Sequence, residues 1–160
     1  PSRQLMNMNA DGTQDNRATA AAIAEGTLES AVIQIQKTKD DRGILIGASA
    51  VSLHVPVDLL FTADVLLNTP GKAASSDNDI NAIRNMGMVP EGYTVNHYLT
   101  DTDAWFIKTD CPNGFKMFNR SPIKTSMEAD FDTGNVRYKA RERYSFGWSD
   151  PRAVFGSPGA

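Results

Sequence analysis

The stretch VRYKARERYSFGW, from Val136 to Trp148, decides how this chain is read. Its even positions are Val136, Tyr138, Ala140, Glu142, Tyr144, Phe146 and Trp148; its odd positions are Arg137, Lys139, Arg141, Arg143, Ser145 and Gly147. Strand side chains alternate between faces, so one face is mostly apolar and aromatic and the other is basic. At ~3.3 Å per residue the strand spans roughly 40 Å, against an ordinary strand of about 5–6 residues. A strand that long ties distant parts of a molecule, or of an assembly, together. Its aromatic face is expected to pack against helices, and Glu142 is the one charge on that face.

Immediately upstream, Glu128, Asp130 and Asp132 alternate in phase, and Asp132-Thr133-Gly134-Asn135 forms a turn by composition. The basic row therefore has three readings. It pairs with these carboxylates across the turn, it meets acidic residues of a neighbouring copy, or it is a phosphate-binding ridge with Tyr138 or Tyr144 stacking on bases. The third is the weakest, because the aromatics lie on the other face.

Charge is unevenly placed along the 160 residues. Residues 1–110 carry 8 Lys/Arg against 14 Asp/Glu, and residues 111–160 carry 8 against 5, within a net charge of −3. Nonspecific nucleic-acid binding by the whole surface is disfavoured at that balance. The basic end of one copy can instead attract the acidic part of another. Cys111 is the single cysteine, so no intrachain disulfide forms. No apolar run approaches the ~20 residues of a membrane span.

Local patterns predict a mixed chain. Ala18–Glu25 is helical by propensity, and Thr27 is placed as the N-cap of a second helix whose apolar face is Leu28, Ala31, Val32 and Ile35. Ala50–Val55 reads as a strand. Pro56 opens a helix with a buried stripe of Leu59, Leu60, Ala63, Leu66 and Leu67. Lys72–Arg84 reads as a mobile loop. Tyr93–Tyr98 and Ala104–Lys108 read as strands, with Trp105–Lys108 and Phe115–Phe118 paired across the turn Cys111-Pro112-Asn113-Gly114. Ile123–Phe131 is a further strand, and Gly156–Ala160 a small-residue tail.

Chemistry-bearing patterns are weak. Asn7-Met8-Asn9-Ala10-Asp11-Gly12 matches half of a calcium loop but carries Ala18 at its twelfth position, where a glutamate belongs. Asp77, Asp79 and Asn81 match three ligand positions, with Ala82 and Met88 in place of the glycine and glutamate. Solvated turns are the expectation for both. Cys111 and His97, with Asp101 or Asp103, form a nominal nucleophile–base set without a surrounding enzyme motif. His54 alternates with core positions and reads as structural. No phosphate loop, dinucleotide fingerprint or zinc-ligand spacing is present. No cofactor and no metal site is expected.

Several segments together resemble one family. Lys37-Thr38-Lys39-Asp40-Asp41-Arg42-Gly43 follows an amphipathic helix, Leu53–Ala63 is a strand–Pro–helix, and Tyr98-Leu99-Thr100-Asp101 precedes Ala104-Trp105-Phe106. Phe131-Asp132-Thr133-Gly134 and the long strand lead to Asp150-Pro151-Arg152-Ala153-Val154-Phe155-Gly156-Ser157. Their order and spacing resemble the major capsid proteins of tailed bacteriophages of the Hong Kong 97 fold, near the phage Mu head-subunit branch, across nearly all of residues 27–157. The arm, protruding hairpin loop and spine helix that precede this region in the family have no counterpart here, so the chain resembles the C-terminal half of such a protein.

The resemblance implies an α+β capsid fold with a mixed or antiparallel sheet flanked by helices. It implies a peripheral-domain part over 1–43, an axial domain over 44–115, and long strands returning through the peripheral domain over 116–160. The implied protein is a non-catalytic shell subunit, forming pentameric and hexameric capsomers that enclose double-stranded DNA. It is assembled in the bacterial cytoplasm and resides in the virion, contacts DNA only nonspecifically, and has no membrane or small-molecule partner. Lys72, Asp77, Asp79, Arg84, Arg137, Lys139, Arg141 and Arg143 are the expected subunit-interface residues. The alternative is a nucleic-acid-binding module using the basic strand 136–148.

Overall fold

The computed structural model describes residues 15–40, 42–71 and 79–160. The chain divides into two compact units, one spanning Pro1–Gly114 with Asp150–Ala160 and the other Phe115–Ser149. The first unit holds helix α1 (Glu25–Gln36), strand β1 (Ala50–Val55), a 3-10 turn (Val57–Leu59), α2 (Leu60–Asn68), α3 (Ala82–Asn85), β2 (Tyr93–Val95), β3 (Trp105–Thr109) and β6 (Val154–Ser157). The second is a ribbon of β4 (Phe115–Ala129) and β5 (Val136–Trp148).

The four-stranded sheet runs β2-β1-β3-β6, with β1 and β2 parallel and the other pairs antiparallel. Its register aligns Tyr93, Leu53, Ile107 and Phe155 in one row across all four strands. Leu53, Ile107 and Phe155 are buried in that row. They join Leu28, Ala31, Val32 and Ile35 of α1 and Ala63 and Leu67 of α2 in one core. The apolar face expected for α1 is therefore the buried one; of the stripe expected for the Pro56 helix, Ala63 and Leu67 are buried, Leu59 and Leu66 are half-buried against the core, and Leu60 is not part of it.

Trp105 anchors this core. It is fully buried, and its indole Nε1–H donates to the Ala21 carbonyl at 3.2 Å. Residues 16–21 form an extended segment beside β6: Ala18 N–H donates to Gly156 O at 2.8 Å, and Gly156 N–H to Asn16 O at 3.1 Å. This corrects the helix expected over Ala18–Glu25. Thr27 is likewise not a cap but the third residue of α1, its Oγ1 accepting from Ala24 N–H at 2.8 Å. Alanine propensity is worth only tenths of a kcal/mol per residue. Pairing with a sheet edge and filling around Trp105 outweigh it.

Three further expectations are corrected. Trp105–Lys108 does not pair with Phe115–Phe118; β3 lies between β1 and β6, and Phe115–Phe118 opens β4. The tail Gly156–Ala160 is not loose, since Gly156 and Ser157 complete β6 and the Ser157 hydroxyl donates to the Thr19 and Ala21 carbonyls, both at 3.3 Å. The segment expected as a strand from Tyr93 to Tyr98 is strand only to Val95.

Candidate interaction surface

β4 and β5 pair over their whole lengths, from Phe115↔Trp148 to Ala129↔Val136. β5 has the bounds its alternation predicts. Its partner is longer than the segment Ile123–Phe131 suggests, because Asn119-Arg120-Ser121-Pro122 interrupts the alternation of β4. Register shifts between Asn119 and Ser121 and between Ser121 and Lys124 insert extra residues into β4. Such bulges bend a ribbon and sharpen its twist.

Residues directly opposite in an antiparallel pair share a face. Arg137, Lys139, Arg141 and Arg143 face Glu128, Ser126, Lys124 and Ser121. Only Arg137 finds carboxylates: it lies opposite Glu128 and reaches Asp130 Oδ2 at 3.5 Å. Lys139, Arg141 and Arg143 make no ion pair among the described residues, and Arg141 is set against another cation, Lys124. Cross-turn pairing thus accounts for one end of the basic row and not for the rest. Glu142 likewise has no charged partner among the described residues.

The other face carries Phe115, Met117, Met127, Tyr138, Tyr144, Phe146 and Trp148. All are exposed, Tyr138 by 80% and Phe146 by 69%, which corrects the expectation that this face packs against helices. Tyr144 and Phe146 meet edge to face at 5.3 Å. A two-stranded ribbon alone is marginally stable in water, so this face needs a covering surface.

A second exposed stripe lies on the other unit, where sequence reasoning saw only the buried side of the helix. Val57, Phe61 and Val65 recur every four residues and point away from the core stripe Ala63/Leu67. Phe61 is 79% exposed. Asp58 is exposed beside them.

Lys72 and Asp77, and the possible calcium loop at Asn7–Gly12, lie outside the described residues. Asp79 and Arg84 are exposed on either side of Asn81. Asn81 itself is buried, and it is not in a loop: it caps α3, accepting from Arg84 N–H at 3.2 Å. Its Nδ2 donates to Leu66 O at 2.7 Å and Thr69 O at 3.1 Å. Those bonds occupy the amide, so it is not free to bind a cation. No group of three or more His, Cys, Asp or Glu residues suited to a metal ion occurs among the described residues.

Cys111 and His97 form no hydrogen bond with each other. Burial pushes the Cys111 thiol up, away from the thiolate that nucleophilic chemistry needs. His54 is half-buried, 3.2 Å from the Ser52 hydroxyl, and burial lowers its pKa. Ser52 is buried too, so this pair presents no reachable nucleophile. No helix is long and apolar enough to cross a membrane among the described residues.

Residues 5–156 match the family model described as phage capsid protein. A solved chain from Mycobacterium phage Che8 shares 15% identity at a TM-score of 0.50, covering 98% of this chain and 56% of that one. A virus-like particle from Pyrococcus furiosus shares 11% identity at a TM-score of 0.47, covering 91% of this chain and 57% of that one. The chain therefore spans little more than half the length of these structures. No curated protein matches it.

Proposed function

The chain belongs to the phage capsid protein family, and from that membership we propose that it is a shell subunit of the Hong Kong 97 fold that self-assembles into capsomers enclosing double-stranded DNA. Its role is structural and its place is the virion. The observation that carries the assembly reading is the ribbon Phe115–Ser149, a paired unit whose aromatic face is exposed along its length. A surface of that kind on a capsid-family chain is an interface awaiting its other half.

The finer assignments belong to the same proposal. They are pentameric and hexameric capsomers, the phage Mu branch, assembly in the host cytoplasm, and an axial domain over 44–115 between peripheral parts 1–43 and 116–160. Placement in the C-terminal half of a subunit is supported by the motif order across 27–157. Lys72, Asp77, Asp79, Arg84, Arg137, Lys139, Arg141 and Arg143 remain the proposed interface charges.

Light scattering with negative-stain microscopy tests the assembly reading. Rings or shells appearing as concentration rises are the expected result; a monomer at every concentration refutes it. The unpaired row Lys139, Arg141 and Arg143 favours a second reading, contact with nucleic-acid phosphates. It predicts binding to short DNA that falls steeply with salt, and absence of binding at ~50 mM salt removes it.

A further inference from the structure

The ribbon's aromatic face and the Val57–Phe61–Val65 stripe are two apolar surfaces left open on described elements, and they lie on different units. Phe115, Tyr138, Tyr144, Phe146 and Trp148 are on average about two-thirds exposed. With roughly 200 Å² to bury per aromatic residue, they offer about 650 Å², close to the ~800 Å² each partner contributes to a standard interface. On the other unit, Ile80 and Met86 flank α3 and are also exposed, by 69% and 65%. Asn81 ties α3 to the end of α2, the helix that carries Phe61 and Val65.

Charge points to the same pairing. The ribbon span 115–149 holds seven Lys/Arg against four Asp/Glu, and the remainder of the chain nine against fifteen. A ribbon of net +3 is drawn to a body of net −6, and two ribbons repel each other. Asp58, exposed beside Val57, puts negative charge at the stripe itself.

We propose that the aromatic face of one copy's ribbon seats on the Val57–Phe61–Val65 stripe of a second copy. The inference rests on the assembly reading above and names the two surfaces that meet. The contact is heterologous: each copy gives a ribbon to one neighbour and a stripe to the other. Repetition of such a contact generates rings or filaments rather than two-fold dimers.

Phe61→Asp and Phe146→Asp each place a charge within one of the two surfaces, and both residues are exposed, so the fold is expected to survive in each. Circular dichroism and a thermal melt verify this. Tyr138→Asp, toward the other end of β5, repeats the test should Phe146→Asp disturb the ribbon. Sedimentation velocity of the wild-type chain should show self-association below about 100 µM, within the range of interfaces this size. Each single variant should weaken it by at least about 30-fold, as loss of a hot-spot residue does. An equimolar mixture of the stripe variant and a ribbon variant should form a one-to-one complex, because each supplies the surface the other lacks.

Two results overturn the pairing and leave the assembly reading intact: wild-type association by Phe61→Asp, and failure of the mixture to form a complex although the wild type associates. A wild-type chain that stays monomeric throughout overturns the assembly reading along with it.

Discussion

Asn81 offers the sharpest test of how this fold is held, because three bonds converge on one small side chain. Its Oδ1 caps α3, and its Nδ2 satisfies the carbonyls of Leu66 and Thr69 at the end of α2, where a helix leaves acceptors unpaired. Asn81→Ala removes all three bonds. Losing the cap costs about 1 kcal/mol. Each half-buried carbonyl left without its donor costs about 1 kcal/mol. The expected loss is about 3 kcal/mol, which for a chain of this length lowers the melting temperature by roughly 9 °C.

Two companion substitutions separate the contributions. Asn81→Ser keeps a cap acceptor and loses the reach to both carbonyls, so it should fall about 1 kcal/mol short of the alanine loss. Asn81→Asp keeps the cap but turns a double donor into a buried anion facing two carbonyl oxygens. At neutral pH it should be the worst of the three. Its carboxyl should titrate above the unfolded value, so its deficit should shrink as pH falls toward about 4, where the neutral acid becomes a donor. Urea denaturation at pH 7 and pH 4.5 measures all three. Equal losses for alanine, serine and aspartate, or an alanine loss below about 1 kcal/mol, would refute the clamp.

Four further outcomes follow from the same coordinates. Trp105→Ala should cost about 3–5 kcal/mol in chemical denaturation, since it opens a cavity in the core and removes the indole bond to the Ala21 carbonyl; Trp105→Phe should cost distinctly less. Gly156→Ala should destabilise, because a Cβ there would lie 2.6 Å from Phe106 Cδ1, and Gly114→Ala meets Ala153 still more closely; replacing Phe106 with leucine should rescue only the former in a thermal melt. Lys124→Glu exchanges a like-charge pair with Arg141 for an opposite one, so hydrogen exchange of ribbon amides should slow about threefold at low salt, equivalent to ~0.6 kcal/mol; adding Arg141→Glu should cancel the gain. Burial lowers the folded-state pKa of His54, so the unfolded chain binds the proton more readily. Stability should be fully present above about pH 6.5 and fall as pH drops below it, and the fall should be smaller in His54→Asn, as read by denaturation at pH 7.5 and pH 5.5.

What the sequence disclosed depended on whether a residue's role was local. Leu28, Ala31, Val32 and Ile35 recur with helical period, and the helix buries that side. Val136–Trp148 alternates without a break, and the strand has those bounds. The failures share a different cause. Ala18–Glu25 has helical composition but is extended, because Trp105, more than 80 residues away, donates its indole N–H to the Ala21 carbonyl in its middle. Gly156 and Ser157 look like a tail, but small residues there are what let β6 lie against Phe106 and the extended segment. Asn81 read as part of a solvated loop because asparagine suits a loop, a turn and a cap equally well. Only the carbonyls around it decide among them.

The ribbon marks a further limit, since alternation reports that a strand has two faces and not what each face meets. Its basic row and its acidic neighbours were both visible in sequence, but pairing depends on register. The register that runs unbroken from the turn puts Lys124 opposite Arg141, before either bulge, and leaves the carboxylates grouped near the turn, within reach of Arg137 alone. Had β4 run on without bulges, Arg143 would face Pro122 in place of Ser121, and neither supplies a carboxylate. The positive charge is therefore not consumed inside the ribbon. An exposed aromatic face backed by an unanswered basic one costs stability to an isolated chain. In the assembly proposed above the same two faces would do separate work: one would bury apolar surface against a neighbour, and the other would draw acidic surfaces toward it.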